Sequence, residues 1–123
     1  MEANELMVGD WVLWKNKKVQ IARVGGIVYS FGHIDVTLAH CNDEGLLETH
    51  DIKSISPIPL TEEILKNNFP DPTDGLTWFP EEGGFNCHTY VPKCEINAFG
   101  LFKYVHQLQN ALRLCGIDID IKL

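Results

Sequence analysis

The sequence lacks any apolar run close to the roughly 20 residues that a membrane-spanning helix requires. Its first residues show neither the basic start nor the apolar segment of a secretory signal. Basic side chains are scarce, because 10 Lys and Arg stand against 17 Asp and Glu, a formal net charge of −7. Phosphate contacts need a surplus of Lys and Arg, so this charge argues against sequence-independent binding to nucleic acid or to an anionic membrane. We expect a cytoplasmic protein without membrane contact.

Cysteine is sparse, and its spacing indicates no metal site. Four cysteines occur in 123 residues, none in a CxxC pair, which is too few for a disulfide-dense mini-protein. Two sets of potential ligands stand close in the sequence, namely His40, Cys41 and His50, and Cys87, His88 and Cys94. Neither set has the ligand spacing of a structural zinc site. The sequence therefore predicts reduced, mostly buried thiols, and neither a bound metal ion nor a cofactor.

Motifs of catalysis are missing as well. The carboxylate pairs Glu62/Glu63, Glu81/Glu82 and Asp118/Asp120 are explained by a helix start, a turn and the solvent face of a strand. The glycine pairs Gly25-Gly26 and Gly83-Gly84 lack the strand, loop and helix context of a phosphate-binding loop. No catalytic residue is predicted, and we expect a protein that is not an enzyme.

Residues 1–60 contain short apolar stretches separated by turns at intervals of about ten residues, a pattern typical of a small all-β unit. Lys15 to Lys18 form a polar tight turn, and Gly25-Gly26 is placed for a bulge. The expected strands are Trp11–Trp14, Val19–Val24, Ile27–Phe31, Ile34–Leu38 and Leu46–His50. Five short, strongly bent strands favour an SH3-like β-barrel, an analogy of pattern that implies no particular function.

Residues 61–123 predict an α+β half that packs on the barrel, so that the chain forms one compact unit. Its expected elements are a helix from Glu62 to about Asn68, a hairpin of Leu76–Phe79 and Phe85–Val91, a C-terminal helix, and a strand over Ile117–Lys122. The C-terminal helix is the clearest of these, because Val105, Leu108, Leu112 and Cys115 recur at helical spacing. Gly116 follows as its C-cap residue. The fold class is therefore α+β.

Two groups of residues are candidates for binding. Trp11 and Trp14 lie in the barrel half, where small barrels present aromatic grooves to peptides, although core packing explains most such aromatics. His106, Gln109, Asn110 and Arg113 form a polar stripe on the C-terminal helix. A solvated helix face is the usual state of such a stripe and is the preferred interpretation.

Three blocks of sequence resemble a known family. They are Glu5–Val12 (ELMVGDWV), Ile58–Glu63 (IPLTEE) and Tyr104–Asn110 (YVHQLQN). In this order they are similar to small proteins of Bacteroides-type gut bacteria and of their prophages. The resemblance spans nearly the whole chain except the segment from Asn67 to Asn97. It implies a bacterial cytoplasmic protein of a mobile element, and it transfers no catalytic residue.

These observations lead to three hypotheses about function. The first is a non-enzymatic interaction module that binds a protein partner through the barrel groove or the C-terminal helix. The second is a small metal-dependent or His/Cys-dependent enzyme, which requires His40, His50, Cys87 and His88 to converge in one pocket. The third is a phage-related regulator associated with nucleic acid, which the net charge disfavours. The sequence does not define the oligomeric state.

Overall fold

The computed structural model describes residues 5–28, 33–69, 76–89, 101–117 and 120–123. Its contacts divide into two units, Met1–Ile58 and Pro59–Leu123. The described residues form an α+β fold, with a five-stranded antiparallel sheet in the first unit, and a two-stranded hairpin and two α-helices in the second. None of these helices is long and apolar enough to cross a membrane.

The sheet of the first unit follows the predicted pattern of short strands. Its strands are β1 (Trp11–Trp14), β2 (Lys17–Val28), β3 (His33–Ala39), β4 (Glu48–Asp51) and β5 (Ile55–Pro57). Strand β2 runs continuously through Gly25-Gly26, where two strands were expected, and its register with β3 shifts between Val24 and Ile27. The expected bulge at the glycines is therefore present. Tyr29 and Phe31, expected to extend this region, lie outside the described residues.

The order of the strands is β4-β3-β2-β1-β5, with β4 and β5 at the two edges. Within the described part of the chain the hydrogen-bonded ladder ends at these edges, so the expected closed barrel is not found. The core on the inner side of the sheet is built from alternate residues of the central strands. Its fully buried members include Val12, Val19, Ile21, Val36 and Leu38. Alternation of buried and exposed positions thus sets which side chains face the core.

The turn between β1 and β2 has the expected chemistry. Lys15 and Asn16 both have positive φ, 48° and 61°, as a two-residue hairpin turn of the primed type requires. This turn pairs Trp14 with Lys17 and gives the register in which Val12 lies opposite Val19. The turn therefore aligns the apolar positions of both strands on the core side.

The second unit contains α1 (Glu62–Asn68), β6 (Leu76–Glu81), β7 (Gly84–Thr89) and α2 (Val105–Leu114). Helix α1 begins as predicted, with the Thr61 hydroxyl accepting a hydrogen bond from the Ile64 amide at 3.2 Å. The hairpin of β6 and β7 is also confirmed. A Cβ at Gly84 would lie 2.7 Å from the Phe102 carbonyl oxygen, so this position requires glycine for the close approach of the two backbones.

Helix α2 buries the predicted apolar residues Val105, Leu108 and Leu112, and Gly116 follows it at φ +72°. The expected solvated stripe is wrong in part, because His106 is 1% exposed and Gln109 is 6% exposed. These two polar residues share the buried side of the helix with its apolar residues. Their neighbours Asn110 and Arg113 are half-buried, and the guanidinium donates to the Asn110 Oδ1 at 3.1 Å.

Two expectations for the end of the chain need correction. Residues 117 and 120–123 are not in a strand, and residues 118 and 119 lie outside the described part. The side chain of Asn68 binds both the amide and the carbonyl of Lys122, at 2.6 and 2.8 Å, so these backbone groups bind a side-chain amide instead of a neighbouring strand. Cys115 is disulfide-bonded, whereas reduced thiols were expected. Cys41 is a free and buried cysteine.

Candidate functional site

Strand β4 places two ionisable side chains on the inner side of the sheet. Glu48 pairs with Leu38 and His50 with Val36, and both apolar partners are fully buried. Directly paired residues of an antiparallel ladder lie on the same side of the sheet, so Glu48 and His50 face toward the core. Both are half-buried, while Thr49 between them is exposed and contacts Thr37 on the outer side. A carboxylate and an imidazole therefore occupy positions at which a strand of this kind normally carries apolar residues.

Cys41 joins these two residues from the end of β3. His40 has a φ of 71°, which turns the chain after β3 and carries Cys41 into the core, where it is 4% exposed. One ligand atom from each of Cys41, Glu48 and His50 lies within 4.8 Å of the others. The His50 Nε2 donates a hydrogen bond to the Glu48 Oε1 at 3.1 Å. We call these three residues the Cys41 cluster.

The loop between Cys41 and Glu48 is organised by the side chain of Asn42. Its Oδ1 accepts hydrogen bonds from the amides of Glu44 and Leu46, each at 3.1 Å. Its Nδ2 donates to the Leu46 carbonyl at 3.0 Å and to the Glu48 Oε2 at 2.8 Å. Because Leu46 is bound in this way, β4 begins at Glu48, two residues later than the predicted strand Leu46–His50. Asn42 therefore holds the loop and one ligand group of the Cys41 cluster together.

The turn between β1 and β2 covers the cluster from another side. The ring of Trp14 packs on the ring of His50, with centroids 4.5 Å apart and planes inclined by 31°. The Lys15 Nζ lies 4.7 Å from the centroid of the Trp14 ring, a cation–π contact. The Lys17 Nζ donates to the Cys41 carbonyl oxygen at 3.2 Å. An aromatic ring and two ammonium groups therefore surround the cluster.

The electrostatics of the cluster keep Cys41 neutral and Glu48 charged. Burial and the nearby Glu48 carboxylate raise the pKa of the Cys41 thiol, and the Lys17 ammonium partly opposes them. Hydrogen bonds from Asn42 and His50 lower the pKa of the Glu48 carboxyl. A thiol with a raised pKa is a poor nucleophile, since the thiolate is the reactive form. In the metal-free cluster these interactions therefore favour the neutral thiol of Cys41 and the charged carboxylate of Glu48.

The structure separates several residues that the sequence analysis grouped as candidates for one site. His40 stacks on Trp11, with centroids 5.4 Å apart, and its Nε2 lies 3.1 Å from the Gln20 Oε1. Burial alternates along β1, so that Trp14 is buried whereas Trp11 is half-buried. The two tryptophans therefore belong to separate surroundings. The side chains of Cys87 and His88, and all of Cys94, lie outside the described part of the chain.

The candidate residues on α2 belong to the second unit. Among them, His106 is buried and stacks on Tyr104, with centroids 5.9 Å apart and planes inclined by 10°. This burial gives His106 and Gln109 a packing role in the second unit.

Sequence reasoning missed Glu48 and Asn42. Glu48 and His50 stand two residues apart in a predicted strand, a spacing that places both on one face. The signal for Asn42 is its position after a strand in a segment rich in turn residues, where Asn binds backbone groups. The alternation of Glu48 and His50 therefore offered a way to detect the cluster.

Comparisons give no further guide to this site, since no protein-family model, no curated protein and no solved structure matches the chain. The geometry described above therefore carries the functional argument.

Proposed function

We propose that the chain is a non-enzymatic interaction module, and that its first unit binds a protein partner through the loop between Cys41 and Glu48. The observation that supports this most is the exposure of two consecutive leucines in that loop. Leu46 is 58% exposed and Leu47 is 60% exposed. Single exposed apolar residues are common, but adjacent ones on an ordered loop form a patch that a partner can cover.

The fixed conformation of this loop favours binding of a partner. Hydrogen bonds from Asn42 hold the Leu46 amide and carbonyl on both sides of the patch. A loop held in one conformation loses less conformational entropy when it binds, so more of the contact energy appears as affinity. The leucines are therefore presented on a preorganised support.

The charge around the leucines indicates the chemistry of the partner. Asp43 and Glu44 are exposed in the same loop, and Glu48 follows directly. The whole chain carries a formal charge of −7. A complementary partner would present an apolar segment flanked by Lys or Arg, because matched charges steer association and exclude competing partners.

The fold and the sequence resemblance add to the proposal. The strand order and the bent, bulged β2 support an SH3-like architecture for the first unit, an architecture that serves many binding functions. The resemblance of the Glu5–Val12, Ile58–Glu63 and Tyr104–Asn110 blocks supports a bacterial or prophage origin. The raised pKa of Cys41 argues against the alternative of a cysteine enzyme.

The experiment compares affinity capture by the tagged full chain with capture by a Leu46→Ser/Leu47→Ser variant. Lysate of the host cells is used, and captured proteins are quantified by mass spectrometry. We expect at least one protein to be captured by the wild type and lost from the variant. That protein, once purified, should bind the chain directly with the same dependence on the leucines.

The matched control is Met7→Ser/Val8→Ser, which removes another exposed apolar pair of the same unit. This variant should capture the same partner as the wild type. The proposal is wrong if no captured protein depends on the leucine pair, or if both double variants lose the partner equally.

A further inference from the structure

We propose that Cys41, Glu48 and His50 bind one divalent transition-metal ion of the zinc class. The three side chains supply one thiolate sulfur, one carboxylate oxygen and one imidazole nitrogen, which are the donor types that zinc takes in proteins. This site is distinct from the leucine patch, and its test does not depend on a partner.

The distances in the cluster are compatible with a shared ion. Zinc bond lengths of 2.0 to 2.3 Å place ligand atoms of a tetrahedral site roughly 3.3 to 3.6 Å from each other. The His50 Nε2 and Glu48 Oε1 are already 3.1 Å apart, and all three ligand atoms lie within 4.8 Å. A side-chain adjustment of about 1 Å would bring the three ligand atoms to the spacing of a tetrahedral site.

A supporting layer of contacts holds the ligands in place. Asn42 donates at 2.8 Å to Glu48 Oε2, the carboxylate oxygen that His50 does not bind. Trp14 packs against the His50 ring. Such outer contacts orient ligands and add to metal affinity. The pairing of β3 with β4 fixes the positions of Glu48 and His50 through backbone hydrogen bonds. The site is therefore preorganised by the sheet.

The placement of Glu48 and His50 on the core side also favours a shared ligand. Glu48 and His50 replace apolar residues on the core side of an edge strand, where burying polar groups costs free energy unless they are well paired. Hydrogen bonds from His50 and Asn42 satisfy the two oxygens of Glu48, and the buried Cys41 lies beside them. A metal ion uses all three groups at once.

Three protein ligands leave the fourth position of a tetrahedral ion to water or to a group from another molecule. The thiolate is the form of cysteine that binds a metal ion, so binding displaces the proton of the Cys41 thiol. The Nε2 proton of His50 must also leave or move to the other ring nitrogen if Nε2 is the ligand. The affinity for the metal ion should therefore increase with pH. The charged groups that face the cluster are Glu48, Lys15 and Lys17.

The test is titration of the purified full chain with Co²⁺ in oxygen-free buffer without reductant, which leaves the Cys115 disulfide intact, followed by its absorption spectrum. A bound Cys41 thiolate gives a sulfur-to-cobalt charge-transfer band in the near ultraviolet, and we expect it to saturate at one ion per chain. The Cys41→Ser variant should lose this band. Competition of Zn²⁺ with a chromophoric chelator then measures affinity, which Glu48→Gln and His50→Gln should each lower by at least about tenfold.

Two controls match the chemistry of the ligand variants. Glu44→Gln removes an exposed carboxylate of the same loop, and His40→Asn removes an imidazole next to Cys41 while keeping a residue type that tolerates the positive φ of this position. Both should bind as the wild type does, and circular dichroism verifies that every variant is folded. If Cys41→Ser does not fold, the two half-buried ligands still decide the question. The inference is overturned if the wild type shows no charge-transfer band, or if Glu48→Gln and His50→Gln bind zinc with unchanged affinity.

Discussion

Replacing Asn42 by Ala tests the structural basis of the loop between Cys41 and Glu48. The substitution removes four hydrogen bonds, two that Oδ1 accepts from backbone amides and two that Nδ2 donates. A hydrogen bond of this kind contributes about 0.5 to 1.5 kcal/mol net, and less where water replaces it, so we expect a loss of about 1 to 3 kcal/mol in the free energy of unfolding. The Glu48 pKa should also rise, since Asn42 supplies the largest effect that lowers it.

Urea unfolding measures the first effect, and an NMR titration of the Glu48 carboxyl measures the second. Asn42→Asp separates the two, because it keeps the acceptor for the Glu44 and Leu46 amides but places a second carboxylate beside Glu48. Asn67→Ala, an exposed asparagine of α1, serves as the control. The assignment of this role to Asn42 is refuted if Asn42→Ala changes the free energy of unfolding by less than about 0.5 kcal/mol, the usual range for surface substitutions.

Three further outcomes are expected. Leu108→Ala should lower the free energy of unfolding by about 2 to 5 kcal/mol in denaturant melts, because Leu108 is fully buried, whereas Leu114→Ala at an exposed position should stay within about 0.5 kcal/mol. Alkylation of the unreduced, denatured chain, followed by peptide mass spectrometry, should modify Cys41 but leave Cys115 unmodified until reduction. Stability should decrease as the pH falls through the lowered Glu48 pKa, and Glu48→Gln should flatten this acid dependence in melts over a pH series.

The regular parts of the fold could be predicted because local sequence determined them. A few neighbouring residues are enough to predict each of three features: the alternation in β3, the Lys15-Asn16 turn and the Thr61 cap. The apolar stripe of α2 likewise predicted the burial of Val105, Leu108 and Leu112, whereas Cys115 at its end is half-buried.

The features that the sequence did not predict depend on contacts between residues far apart in the chain. Asn68 binds the backbone of Lys122 across 54 positions, which no local pattern indicates, so the final strand was wrongly predicted. His106 and Gln109 are polar, and their burial depends on tertiary packing around α2. The Cys41 cluster combines both situations, since Glu48 and His50 follow strand periodicity but Cys41 reaches them only through the turn after β3.

X-ray absorption at the zinc edge of the zinc-loaded full chain tests most directly whether Cys41, Glu48 and His50 form one metal-binding set. We predict one sulfur at about 2.3 Å, with the remaining ligands being nitrogen or oxygen at about 2.0 to 2.2 Å, and an imidazole contribution from His50. A zinc ion surrounded by oxygen and nitrogen alone, or by two or more sulfurs, would contradict this ligand set.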